Sequence, residues 1–160
     1  MFGRKKKDKK NKKINNEIFG EMELKEAGCY GTAPIQITLW NKAFYIDLRA
    51  VTNSASPEIT TKQELAYKYF KENTVYIQKK IEEIIEDDCK TKDTNVLLSR
   101  FEPFQLFFTV NGRCALLLFD AKDIEEGYHE DLAVSIIPEL KLWSEEDYVM
   151  HGICEEYKED

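Results

Sequence analysis

The sequence predicts an α+β domain in which an antiparallel sheet, assembled from two meanders, is covered by one long or broken helix, with a short helix near the carboxyl end. Three observations predict it. Apolar residues alternate with polar ones in two separate blocks, the segment between those blocks has a helical period, and each block contains a two-residue hairpin signal. An amphipathic helix and a one-sided sheet each need a partner surface, and here each is the only candidate for the other.

The first block, "EIFGEMELKEAGCYGTAPIQITLWNKAFYIDLRA", reads as three strands: Ile18 to Leu24, Pro34 to Trp40 and Ala43 to Ala50. Ile35, Ile37 and Leu39 alternate with Gln36, Thr38 and Trp40, and Phe44, Ile46 and Leu48 with Tyr45, Asp47 and Arg49. Each strand therefore has a core face and a wetter face. The link Asn41-Lys42 is short enough to force an antiparallel hairpin.

The helical segment follows the polar loop "NSASPEITT". Thr61 and Glu64 have capping-box spacing, and Ala66, Phe70, Ile77, Ile81 and Ile84 fall on one stripe. Asn73 interrupts the stripe, which leaves open one helix with a weak point or two helices meeting there.

In the second block, "FQLFFTVNGRCALLLFD" places Asn111-Gly112 between two β-favouring runs. The run "CALLLF" is apolar on both faces, which predicts a central strand covered on both sides or an inter-subunit position. "LAVSIIP" reads as a further strand, and Ser144 with Asp147 three residues on reads as the cap of the short last helix.

At 160 residues, 42% hydrophobic and 12% aromatic, the chain has material for one core. Residues 1–15 read as a disordered basic leader, 16–152 as the single domain and 153–160 as a frayed acidic tail. Residues 1–13 hold eight of the 23 basic residues but one of the 30 acidic ones, so the remainder carries fifteen basic against 29 acidic. Such a body repels phosphate, which makes nucleic acid an unfavourable partner for the folded domain and a basic protein a favourable one. Membrane contact is open only to Arg4 and Lys5 to Lys13, and position 2 is Phe, not the Gly that myristoylation requires. A homodimer is compatible with the pattern.

The four cysteines, Cys29, Cys89, Cys114 and Cys154, are scattered without CxxC or Cys/His spacing, and read as free thiols. No apolar run approaches a membrane span and no signal sequence follows the basic start, so the cytoplasm is the expected compartment. Nucleophile-elbow, P-loop and HExxH patterns are missing, and His129 and His151 have no nucleophile at a characteristic spacing, so neither catalysis nor a cofactor is expected.

Two features attract a binding role. The densest polar cluster runs through Asp120, Asp123, Glu125, Glu126, Tyr128, His129, Glu130 and Asp131. An acidic loop bearing a tyrosine suits a basic protein partner. Its alternative is a metal- or ligand-binding site, or a metal-dependent enzyme, using Asp120, Asp123 and His129, although the EF-hand spacing is not met. The bland alternative is a solvated loop. The second feature is a set of aromatic residues off the core pattern, Tyr30, Trp40, Tyr45, Phe107 and Tyr128, of which Trp40 and Tyr45 join the candidate partner-binding set.

The element order carried by "IFGEMEL", "APIQITLWNKAFYIDL", "TTKQELAYKYFKENTVYIQKKIEEII" and "ALLLFDAKDIEEGYHEDLAVSIIPEL" resembles that of small bacterial α+β domains, some of which occur among the immunity proteins of polymorphic toxin systems. The resemblance spans most of positions 17 to 150 and contains no catalytic motif. It implies a non-enzymatic protein whose partner is a toxin, often a basic nuclease.

Overall fold

The computed structural model describes residues 12–26, 28–53, 58–121, 131–144 and 147–148. Among them the chain forms β1 (Lys13–Asn16), β2 (Gly20–Glu26), β3 (Cys29–Gly31), β4 (Ile35–Leu39), β5 (Lys42–Val51), α1 (Thr61–Glu72), α2 (Thr74–Cys89), α3 (Thr94–Arg100), β6 (Phe101–Phe108), β7 (Cys114–Asp120), β8 (Leu132–Ile137) and β9 (Lys141–Ser144). The α+β class is as expected. The nine strands make one mixed sheet in the order β1-β2-β3-β5-β6-β7-β8-β9, with β4 paired to the first half of β5. Every pairing is antiparallel except β5 with β6, where Leu48 lies opposite Leu106 and Ala50 opposite Phe108. The expected purely antiparallel sheet of two meanders is corrected to a mixed one: β3 pairs with β5 past β4, the β6–β9 half alone is a meander, the two halves meet at one parallel seam, and three helices, not one, form the crossover that a parallel pair needs.

One face of the sheet is a continuous apolar ladder. Leu48, Leu106, Leu116, Val134 and Leu142 follow one another across five strands, and Leu24, Tyr30, Ala50, Phe108 and Cys114 do so one step along. Ala66, Tyr67 and Phe70 from α1, Ile77, Ile81 and Ile85 from α2, and Leu97 from α3 close over this face in a single cluster. Of the four isoleucines of α2, Ile77, Ile81 and Ile85 are at most 1% exposed, and burial of each stabilises the fold by roughly 2 kcal/mol. The stripe holds, except that Ile85 is the buried residue and Ile84 only half-buried.

Asn73 divides the helical segment in two. Its side chain donates to Tyr69 O at 2.9 Å and Thr74 Oγ1 to Phe70 O at 2.7 Å, so side chains share with the Asn73 amide the carbonyls that an unbroken helix would give to backbone alone. The cap lies one residue earlier than the spacing suggested. Thr60 accepts the Gln63 N–H at 3.1 Å and the Gln63 side chain accepts the Thr60 N–H at 3.0 Å, because a buried glutamine serves the reciprocal role as well as glutamate.

Four elements correct the sequence reading. Lys13 to Asn15, assigned to the leader, form most of an edge strand, because Asn16 Oδ1 accepts the N–H groups of Ile18 and Phe19 at 2.9 and 3.0 Å and turns the chain so that Ile14 meets Met22. The short strands β3 and β9 have too few residues to show alternation. Helix α3 is announced by Asp93, whose carboxylate accepts the Asn95 and Val96 amides, but its seven residues are too few for a visible period.

Both hairpin turns differ from expectation in detail. The β4–β5 turn is Trp40-Asn41, one residue earlier than expected, with φ of 48° and 63°, the left-handed pair that a two-residue turn between twisted strands requires. The β6–β7 turn has three central residues. The Gly112 N–H reaches Thr109 O at 2.9 Å, and Gly112 alone has positive φ, at 79°. The expected last helix is met at its cap bond, Asp147 N–H to Ser144 Oγ at 3.1 Å, and by helical residues 147–148. Most of the expected leader and the whole acidic tail lie outside the described residues.

Candidate interaction surface

The face of the sheet away from the helices follows from the same alternation. Lys13, Glu23, Gly31, Arg49, Phe107, Ala115, Ser135 and Lys141 stand in one row across it, and Asp47, Gln105, Leu117, Ala133 and Trp143 in the next. It has two halves of different chemistry. On β7, β8 and β9 it is apolar: Ala115, Leu117 and Ala133 are buried with Tyr148, and Phe107 and Trp143 pack at the margin. This is the second covered face that "CALLLF" implied. Trp143 is fixed by its Nε1–H to Ser135 Oγ at 3.1 Å, by the Lys141 ammonium 4.0 Å above its ring, and by an edge contact with Tyr148.

On β1, β2, β3 and β5 the face is charged. Lys13 with Glu21, Lys25 with Glu23 and Arg49 with Asp47 lie 3.6 to 3.7 Å apart. Such exposed pairs contribute little to stability and leave their charges readable from solvent. Gly31 sits beneath this layer, where a Cβ would meet Lys25 Cγ at 3.1 Å and an Arg49 guanidinium nitrogen at 3.3 Å, so the glycine lets both long side chains lie flat. Tyr45, on the same side of β5 as Asp47, is 73% exposed, and Phe104, raised at the bulge in β6, is 36% exposed.

The structure separates the residues grouped in the sequence. Trp40 is buried, not presented to a partner, with its ring 6.5 Å from that of Phe101; the left-handed turn folds its side chain back into the core. Tyr30 is likewise buried, on the ladder between Leu24 and Ala50. Asp120 is 4% exposed and belongs to strand β7, where Arg100 grips it through Nε at 2.8 Å and Nη2 at 2.9 Å. Strand alternation already pointed Asp120 inward, and Arg100, twenty residues earlier, gave no local signal that it is the partner. Asp123, Glu125, Glu126, Tyr128, His129 and Glu130 lie outside the described residues. Of the named set, Tyr45 stands where a partner can reach it.

No cluster of three or more His, Cys, Asp and Glu side chains arranged for a metal occurs among the described residues, and Asp120 is engaged by Arg100. Cys114 is fully buried, and burial pushes its thiol well above the usual range, away from the thiolate that nucleophilic chemistry needs. The sequence did not mark the edge of β4. There Gln78 accepts the Thr38 N–H at 2.6 Å and Glu82 accepts the Trp40 N–H at 3.4 Å, so two side chains one turn apart on α2 close a strand edge that pairs on its other side with β5. Burial raises the Glu82 carboxyl above its usual range, against the opposing pull of the Trp40 amide. No helix among the described residues is long and apolar enough to cross a membrane. Comparison with protein-family models, curated proteins and solved structures finds no match.

Proposed function

We propose that the chain is a non-catalytic protein-binding domain of the immunity type, which engages a basic protein through the half-open sheet face. The observation that carries this reading is Tyr45, 73% exposed beside Asp47 on a face that none of the three helices covers. An exposed tyrosine costs little entropy to fix, buries a large area and carries a hydroxyl, which is why such residues anchor interfaces. The excess of acidic over basic residues beyond position 13 supplies the sign of the partner, because long-range attraction selects a basic surface and speeds encounter.

The test is capture by the tagged full-length chain from the cells that produce it, followed by titration of the recovered basic protein against the purified chain. Tyr45→Ala is expected to weaken binding about 30-fold, the equivalent of about 2 kcal/mol, and Asp47→Lys to weaken it with a reduced salt dependence. Recovery of no protein partner at low or moderate salt, or wild-type affinity in both variants, overturns the reading.

A further inference from the structure

Helices α1 and α2 carry a second stripe on the side opposite the core. Leu65, Tyr69, Glu72, Tyr76 and Lys79 recur at alternating intervals of four and three, the spacing of a seam between two helices. Its apolar members are open: Leu65 is 60%, Tyr69 42% and Tyr76 53% exposed, and Val75 beside them is 80% exposed. The hydrogen-bond path runs through the Asn73 break, with Asn73 N–H to Tyr69 O at 3.0 Å and Ile77 N–H to Asn73 O at 2.9 Å.

Charge along this stripe is graded. Residues 61–80 hold five lysines and two glutamates, whereas 81–89 hold five acidic residues and no basic one. The gradient opposes the helix dipole, since the first turn of α2 has no acidic residue and its last turn has Glu86, Asp87 and Asp88 but no basic one. A helix charged against its own dipole is an internal conflict, and such conflicts are the expected mark of a functional surface.

A second copy of the same helix pair, running antiparallel across a two-fold axis, removes the conflict. We propose that this ridge is a homodimer interface with its axis at Val75 and Tyr76. Antiparallel pairing about that point brings residues whose numbers sum to about 151 together. Val75 of each copy meets Tyr76 of the other at the centre, and Glu72 of each meets Lys79 of the other on both sides. Further out, the acidic end of α2 lies against the lysine-rich first half of the partner's α1. Self-complementarity of this kind is what an isologous interface requires. Glu72, Lys79 and Lys68 are exposed and make no salt bridge within 4 Å among the described residues, although Lys79 attracts Glu82 at longer range on its own helix. The proposal is independent of the sheet face and shares no residue with it.

Sedimentation equilibrium of the full-length chain tests it. The wild type is expected to dimerise below about 100 μM, the range of a small interface. Lys79→Glu sets like charges together twice per dimer and is expected to weaken association at least about tenfold, as is Glu72→Lys. The double exchange Glu72→Lys with Lys79→Glu restores the pairs in reverse and is expected to return the dimer. All three changes are at exposed positions, and thermal melts of each confirm folding. A monomeric wild type, a dimer indifferent to either single change, or a folded double exchange that stays monomeric overturns the proposal; if one single variant does not fold, the other and the double exchange still decide.

Discussion

Asp120 and Arg100 show how one contact is read differently at two levels. As letters, Asp120 opens an acidic run; as a side chain it is 4% exposed and held by two charge-assisted bonds, while Arg100 also lies 4.8 Å over the Phe101 ring. Removing one member of a buried pair costs about 3 to 5 kcal/mol, but the Arg100 side chain keeps 26% exposure and some hydration, so Asp120→Ala is expected to cost about 2 kcal/mol. Urea unfolding checks this, and adding Arg100→Met should recover much of the loss; an Asp120→Ala variant as stable as wild type would show the pair to be incidental. Glu82 behaves oppositely. Its folded carboxyl binds a proton more readily than the unfolded one, so its contribution to stability is greatest below the usual glutamate range and falls as pH rises through the raised folded value. Glu82→Gln can still accept the Trp40 N–H and carries no charge. The variant is therefore expected to gain on the wild type in melting temperature as pH rises from 4 to about 7, and a constant difference would exclude Glu82 as the cause.

At the scale of elements, the β6–β7 turn and α1 hold each other in place. Gly112 has φ of 79°, and a Cβ there would lie 2.5 Å from Lys62 O, so the turn touches the helix backbone. Thr60 Oγ1 donates to Val110 O at 2.9 Å across the same junction. Gly112→Ala combines strain with overlap and is expected to cost about 3 kcal/mol in chemical denaturation, against under about 1 kcal/mol for Asn111→Ala; equal costs would contradict the close approach. The sequence marked this glycine as part of a turn but not as a docking point, since the helix it meets lies some fifty positions away. The same limit explains which elements were legible. Strands β4 and β5 and the buried stripe of α1 and α2 declared themselves by period, because burial on one face imposes one, and β7 by an unbroken apolar run. Strands of three or four residues and a helix of two turns show none, and Lys13 to Asn16 became a strand through an Asn16 turn that a lysine-rich composition concealed. For the candidate surface, Tyr45 was legible from alternation alone, whereas the same rule misplaced Trp40, which had already entered the turn.

At the scale of the molecule, the leading edge of the sheet is one strand deep. Ile14 packs at the margin of the main core, and β1 pairs with β2 over four residues. A chain beginning at Glu17 is expected to be less stable than one beginning at Lys12 by about 1 to 2 kcal/mol, read as a lower melting temperature; equal melts would show β1 to be dispensable. The parallel seam has a different bearing, on the order in which structure is acquired. Every antiparallel pairing closes a short stretch of chain, the longest being β3 with β5 around β4, whereas the pairing of β5 with β6 encloses all of residues 52–100, so its loop-closure entropy is the largest in the sheet. Contacts across that seam are therefore expected to form after the barrier to folding has been crossed. Leu48→Ala, at the seam, should chiefly accelerate unfolding, and Leu116→Ala, within the β6–β9 meander, should chiefly slow refolding. Stopped-flow chevrons decide the matter: a slowed refolding arm for Leu48→Ala would place the seam in the nucleus. If it closes late, each newly made chain passes through a stage in which the β5 and β6 edges are both unpaired and Leu48 and Leu106 both face water, and that stage sets how crowded a cell can become with this protein before copies pair with one another instead of with themselves.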